Sequence, residues 1–180
     1  MTGSDGADLV RRERFDALFA LVYEPLQRYV QRRGGGSDTD DIVAEALTVL
    51  WRRLDDVPAD AQVAWALGVA RRCLANHRRS AARREALEQR VTAVSGHEPA
   101  PDGELDAAMS LLDADQRELL RLWAWEGLAP REIAVVVGSS ANAVSIRLYR
   151  ARRELAGLLA PRKVATVHGH RGIRTTEEER

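Results

Sequence analysis

Residues 128–155, LAPREIAVVVGSSANAVSIRLYRARREL, constrain the fold more than any other stretch of the chain. Pro130 suits the first position of a helix, Ile133, Ala134 and Val137 pack inward at helical spacing, Gly138 permits a tight turn, and Ser140 is placed to cap a helix opening at Ala141. A short helix, a glycine turn and a capped second helix make a helix-turn-helix. On the second helix Val144, Leu148, Ala151 and Leu155 share one narrow arc at about 100° per residue, so they face the interior. The opposite face presents Asn142, Ser145, Ile146, Tyr149, Arg150 and Arg153. Arginine grips phosphate or the O6 and N7 acceptors of guanine, Asn and Ser bond base edges or backbone, and an exposed Ile matches a thymine methyl. These six are the candidate groove-facing residues.

The remainder of the 180 residues also reads as helix. Phe15, Leu18, Phe19, Val22, Leu26, Tyr29, Val30 and Arg33 recur at three- and four-residue steps, which predicts a first helix of about 20 residues. Pro25 should bend or split it. Gly34-Gly35-Gly36 ends that segment, and Ser37 with Asp40 resembles a capping box for a helix over Thr39 to Leu54. Val43, Leu47, Leu50 and Leu54 form its inner stripe, while Asp41, Glu45, Thr48 and Arg52 form an outward stripe suited to a partner. A third helix is predicted from Val63 through Ala82 and on to Val91. It contains WALGVARRCLANHRRSAARR, in which Trp65, Arg71, Arg72, Asn76, Arg78, Arg79 and Arg83 supply the ring, cations and amide that separated DNA strands engage. SGHEPAPDGE, with two prolines, two glycines and no apolar period, reads as a linker. Asp113 with Gln116 predicts a capping box for a helix ending near Gly127.

The chain carries 27 basic and 27 acidic residues, so its net charge is zero, which on its face argues against a general nucleic-acid coat. Taken by segment, residues 36–64 carry −5 and 94–118 carry −6, whereas 65–90 and 128–163 each carry +5. Two basic blocks imply two footprints on nucleic acid, and the acidic blocks are expected to mask them in the free protein. Only 5% of residues are aromatic and 30% are charged, which disfavours an all-β fold. Cys73 is the one cysteine, and no Cys or His spacing suits a metal. No phosphate-binding loop or catalytic triad is present. The expectation is therefore a protein without enzymatic activity, metal or cofactor. With neither a signal peptide nor an apolar span of 18 residues, it is expected in the cytoplasm with no membrane insertion.

The order of these parts resembles the small extracytoplasmic-function (ECF) RNA polymerase sigma factors of bacteria. The resemblance covers about residues 12–160 and rests on SDTDDIVAEALTVLWRRL, VAWALGVARRCLANHRRS and LLDADQRELLRLWAWEGLAPREIAVVVGSSANAVSIRLYRARREL. It implies an all-α protein of two small helical domains joined by a flexible linker. A bundle like sigma region 2 would span 10–92, the linker 93–104 and a helix-turn-helix domain like sigma region 4 105–160, with a disordered tail over 161–180. It further implies binding to core RNA polymerase, at the clamp of its largest subunit, and to promoter DNA, and it admits an anti-sigma factor as a further partner. By position, Asp41, Glu45, Thr48 and Arg52 would grip the clamp, with Glu24 and Arg28 as weaker contacts. Residues from Trp65 to Arg84 would recognise and melt the minus-ten element, and Ser145, Ile146, Tyr149 and Arg150 would meet the minus-thirty-five bases. The chain departs from the family pattern at Arg72, where many members have Asn, and at Ala129, where members often have a capping Ser. The alternative is a stand-alone helix-turn-helix regulator, against which the acidic outward stripe speaks.

Overall fold

The computed structural model describes residues 3–89 and 103–160, and among these the periodic segments form seven α-helices. Helix α1, Gly3–Arg32, runs 30 residues without a break, longer than its periodicity predicts and with Pro25 inside it. Burial of Leu18, Val22, Leu26, Tyr29 and Val30 on both sides of the proline carries the helix through the missing backbone bond.

Helix α2, Thr39–Arg52, does not begin with the expected capping box. A 3-10 turn over Gly36–Asp38 moves Ser37 off the cap, and Asp38 takes that position without a side-chain bond. The Thr39 hydroxyl instead donates to the Gly36 carbonyl at 2.9 Å. Its buried arc is Ile42, Val43, Ala46 and Leu50, and Leu47 is only half-buried, because α2 packs on both α1 and α3. Helix α3, Gln62–Gln89, is buried through Leu74 and then leaves the core as an exposed basic arm.

The C-terminal helices are α4 (Glu104–Leu111), α5 (Ala114–Ala124), α6 (Pro130–Val137) and α7 (Ala141–Leu159). Asp113 and Gln116 form the predicted capping box, with the Gln116 amide donating to Asp113 at 2.7 Å and the Asp113 amide donating to Gln116 at 3.1 Å. Gly138 closes α6 at φ +67°, a conformation that glycine adopts without steric cost, and Ser140 caps α7 by accepting from the Ala143 amide at 3.2 Å. Helices α6 and α7 are thus the helix-turn-helix. Helix α4 begins at Glu104, the last residue assigned to the linker; the rest of that segment through residue 102, and the tail over 161–180, lie outside the described residues.

The two helical groups touch. α3 packs on α6, and at the crossing a Cβ on Gly68 would stand 3.3 Å from the Val136 carbonyl oxygen. Beside that crossing Arg33, its side chain 3% exposed, lies between Glu118 and Glu126, with Nε 3.1 Å from one carboxylate and Nη1 3.0 Å from the other. The Tyr29 hydroxyl donates to Glu118 at 3.0 Å, and its ring lies 3.6 Å under the Arg33 guanidinium. Burial and the adjacent Glu118 charge hold the Tyr29 hydroxyl far above the usual phenol range.

At the start of α6 Ala129 has the extended backbone of a cap, and its amide already donates to Glu132 at 2.7 Å, yet it offers no side-chain oxygen in return. Ala129→Ser should complete the reciprocal pair and add about 1 kcal/mol of stability, read as a higher midpoint in chemical denaturation. An unchanged midpoint would show that the Glu132 half suffices.

Candidate nucleic-acid interface

Helix α7 presents the six predicted residues to solvent. Asn142, Ser145, Arg150 and Arg153 are exposed, as are Ile146 at 46% and Tyr149 at 66%. Ser145 spends its proton on the Ala141 carbonyl at 2.9 Å, so its oxygen faces outward as an acceptor. The other two arginines of this helix belong to the scaffold. Arg147 pairs with Asp115 on α5 at 3.0 Å, and Arg152 lies 4.4 Å over the Trp123 ring. The reading face is therefore uninterrupted, from the capped N-terminus to Arg153.

The seven residues predicted on α3 divide into two sets. Trp65, Arg72, Asn76, Arg79 and Arg83 fall within an arc of about 60°. In this stripe Trp65 is half-buried, and the others are exposed. Arg71 and Arg78 turn to another face. Arg78 donates to the Arg33 carbonyl at the end of α1, and Arg71 joins Asp115, Glu118, Leu119, Val137 and Arg147 around a cavity of about 160 Å³. At about 100° per residue Arg71 and Arg78 lie on the order of 120–140° around the helix from Trp65, which is why they leave the stripe.

On α2 the outward stripe Asp41, Glu45, Thr48 and Arg52 is exposed throughout. The weaker pair Glu24 and Arg28 is also exposed, its members salt-bridged to each other one turn apart on α1. An aromatic ladder flanks α2. Phe15 packs edge-on against Trp51 at 5.1 Å, and Phe19 stacks on Tyr23 at 4.9 Å, each 38% exposed. Phe19 thus leaves the core stripe in which the periodicity placed it. At the far end of α2, Arg14 and Arg11 both bond Asp55 and hold its carboxyl below the usual range.

Residues 102–155 match the family description Sigma-70, region 4. The chain is 33% identical over 163 residues to the ECF RNA polymerase sigma factor SigF of Caulobacter vibrioides, covering 87% of this chain and 89% of that one. It belongs to the ECF RNA polymerase sigma factors. Its fold is also that of two solved structures. One is the sigma factor RpoE in complex with the anti-sigma factor NepR from Bartonella quintana (TM-score 0.59, 23% identity, 83% of this chain and 98% of that one). The other is CnrH, of Cupriavidus metallidurans, in complex with the cytosolic domain of CnrY (TM-score 0.56, 28% identity, 81% and 86%). A sigma factor is not an enzyme; it joins core RNA polymerase and directs initiation at promoters.

No group of acidic, His or Cys side chains among the described residues is arranged to hold a metal, and no described helix is long and apolar enough to cross a membrane. Cys73 is 4% exposed beneath α2, and burial, reinforced by the Glu45 carboxylate, pushes its thiol up to about 11. At pH 8 the thiolate is then on the order of one part in a thousand, so alkylation of the folded protein should run roughly a hundred-fold slower than that of a free cysteine. Mass spectrometry of iodoacetamide-treated native and denatured samples checks this; equal rates would contradict the burial.

Proposed function

We propose that this sigma factor reads a two-part promoter through separate helices and holds core polymerase through a third. The observation that carries the reading is the pair of outward stripes, one on the second helix of a helix-turn-helix and one on the basic arm of α3. Asn142, Ser145, Ile146, Tyr149, Arg150 and Arg153 lie in the major groove of the minus-thirty-five element, where the capped helix N-terminus favours nearby phosphate. Trp65, Arg72, Asn76, Arg79 and Arg83 meet the minus-ten element. The ring and cations suit unpaired bases and a single-strand backbone. Arg71 and Arg78, grouped with these by sequence, contribute positive potential from behind the stripe.

Asp41, Glu45, Thr48 and Arg52 dock on the clamp of the largest polymerase subunit. Their mixed charge on a rigid helix suits a polar interface formed without refolding. The fold shared with sigma factors solved in complexes supports an anti-sigma factor as a further partner, and the cytoplasm, where polymerase works, is the location that fits the function.

In vitro transcription with purified core polymerase and a promoter library tests this reading. Asp41→Lys with Glu45→Lys should abolish association with core polymerase while leaving the helical circular dichroism unchanged. Arg150→Ala should weaken promoter binding by about 1–3 kcal/mol, with relaxed preference at one upstream position, if it reads a base. Uniform weakening at every promoter would instead assign Arg150 to phosphate. Failure of the wild-type chain to select any start site would reject the proposal.

A further inference from the structure

The charges at the seam of α1, α3 and α5 do not balance. Two carboxylates stand there, Glu118 and Glu126; both meet Arg33, and Glu126 also takes Arg32 at 3.4 Å. Tyr29 adds no anion, because its phenol stays protonated far above the ordinary range. Arg32, Arg78 and Arg117 bond main-chain carbonyls, of Trp125 for the first, Arg33 for the second and Met109, Ser110 and Leu112 for the third. A carbonyl satisfies an N–H and leaves the positive charge standing. Arg121 forms no salt bridge among the described residues and lies 5.3 Å over the Trp125 ring. Burial, and next the charge of Arg33, press its guanidinium below the ordinary range, with Arg117 and Arg78 adding to the effect and Glu118 opposing it. The cluster is short of negative charge.

It is also short of acceptors. Arg33 spends Nε on Glu118 and Nη1 on Glu126 and the Tyr29 carbonyl, while Nη2 has no partner. Arg121 Nε is likewise shut off from solvent with no partner, and these are the two such side-chain atoms among the described residues. Buried donors are nearly always satisfied in native proteins, and an unmet donor on a charged group is the costlier kind. Two of them within one cluster of like charge call for an anion.

We propose that this cluster is a phosphate site, in which Arg33 Nη2 and Arg121 Nε hold the dianion, either free or as the terminal phosphoryl group of a small ester. Tetrahedral oxygens accept from two guanidinium planes at once, and a double negative charge offsets an excess that a single carboxylate would leave. Entry is from the side of Arg121, which is half-buried, and Arg78, which is exposed. The Arg121 guanidinium turns to admit the ion, since no carboxylate holds it. A phosphodiester within a nucleic-acid strand is too bulky to follow, because the Arg33 side chain is 3% exposed. Neither donor belongs to a reading stripe, so the inference goes beyond the promoter reading and does not depend on it.

Calorimetric titration of the full chain with inorganic phosphate, at low salt and against chloride of equal ionic strength, tests the site. Saturable binding is expected, and phosphate at roughly 100-fold above its Kd should raise the thermal midpoint by about 5 °C or more. Arg121→Gln should weaken binding roughly tenfold or more, with helical circular dichroism and the phosphate-free midpoint maintained. Arg121→Lys keeps the charge without the fork and should fall between the two. Arg150→Ala, on the reading face, should bind phosphate as the wild type does. Adenosine monophosphate separates the sources: tighter binding than inorganic phosphate assigns the site to an ester, weaker binding to the free ion. Absence of saturable binding, equal stabilisation by chloride, wild-type affinity in Arg121→Gln, or loss of binding in Arg150→Ala would each overturn the proposal.

Discussion

A buried arginine between two glutamates sets the relation of everything else in this molecule. Arg33 has lost nearly all of its water, and the desolvation of a guanidinium is tolerable only where carboxylates with good geometry replace the solvent. Both of its partners come from the other half of the chain. The N-terminal bundle is therefore finished, at the end of α1, by groups it does not contain. The turn after Arg33 enforces the placement, since a Cβ on Gly35 would stand 2.6 Å from Thr39 Oγ1 and from Val30 Cγ1. Glycine at that site lets α1 stop and α2 start without moving Arg33 out of the seam.

The helix-turn-helix was legible because its determinants are local. A proline at a helix start, a left-handed glycine and a serine cap each act within four residues, and the wheel that separated Val144, Leu148 and Ala151 from the reading face required no tertiary knowledge. The capping box at Asp113 was legible for the same reason. The Ser37 box failed because the glycine-rich turn before it winds one residue further, a choice made by packing of Thr39 against Gly35. The seam was hidden because Arg33 and Glu118 are 85 positions apart: the periodicity puts Arg33 on the stripe of Tyr29 and Val30, but nothing local names the carboxylates that meet it. One sign of it was present. Glycine at position 68, inside a strongly helical segment, costs about 1 kcal/mol relative to alanine and so implies a close approach by another backbone.

The preference for arginine over lysine, 26 to one, has a structural side as well as a nucleic-acid one. Arg33 spends one fork on two different carboxylates and lays its plane on Tyr29, which an ammonium cannot do. Others satisfy the orphan carbonyls at helix ends from a distance. Arg11 donates to Trp51 at the end of α2, Arg78 to Arg33 at the end of α1, Arg32 to Trp125 at the end of α5, and Arg117 to Met109, Ser110 and Leu112 at the end of α4. Each such contact also places a cation at the negative end of a helix dipole.

Removing these framework arginines from the count changes what the neutral net charge means. The ones committed to helix ends and carboxylates are largely compensated in place, by Asp55, Asp115, Glu118 and Glu126. Arg72, Arg79, Arg83, Arg150 and Arg153 form no salt bridge among the described residues, and they are the ones on the two reading stripes. The acidic residues thus assemble the scaffold and leave the reading charge in place.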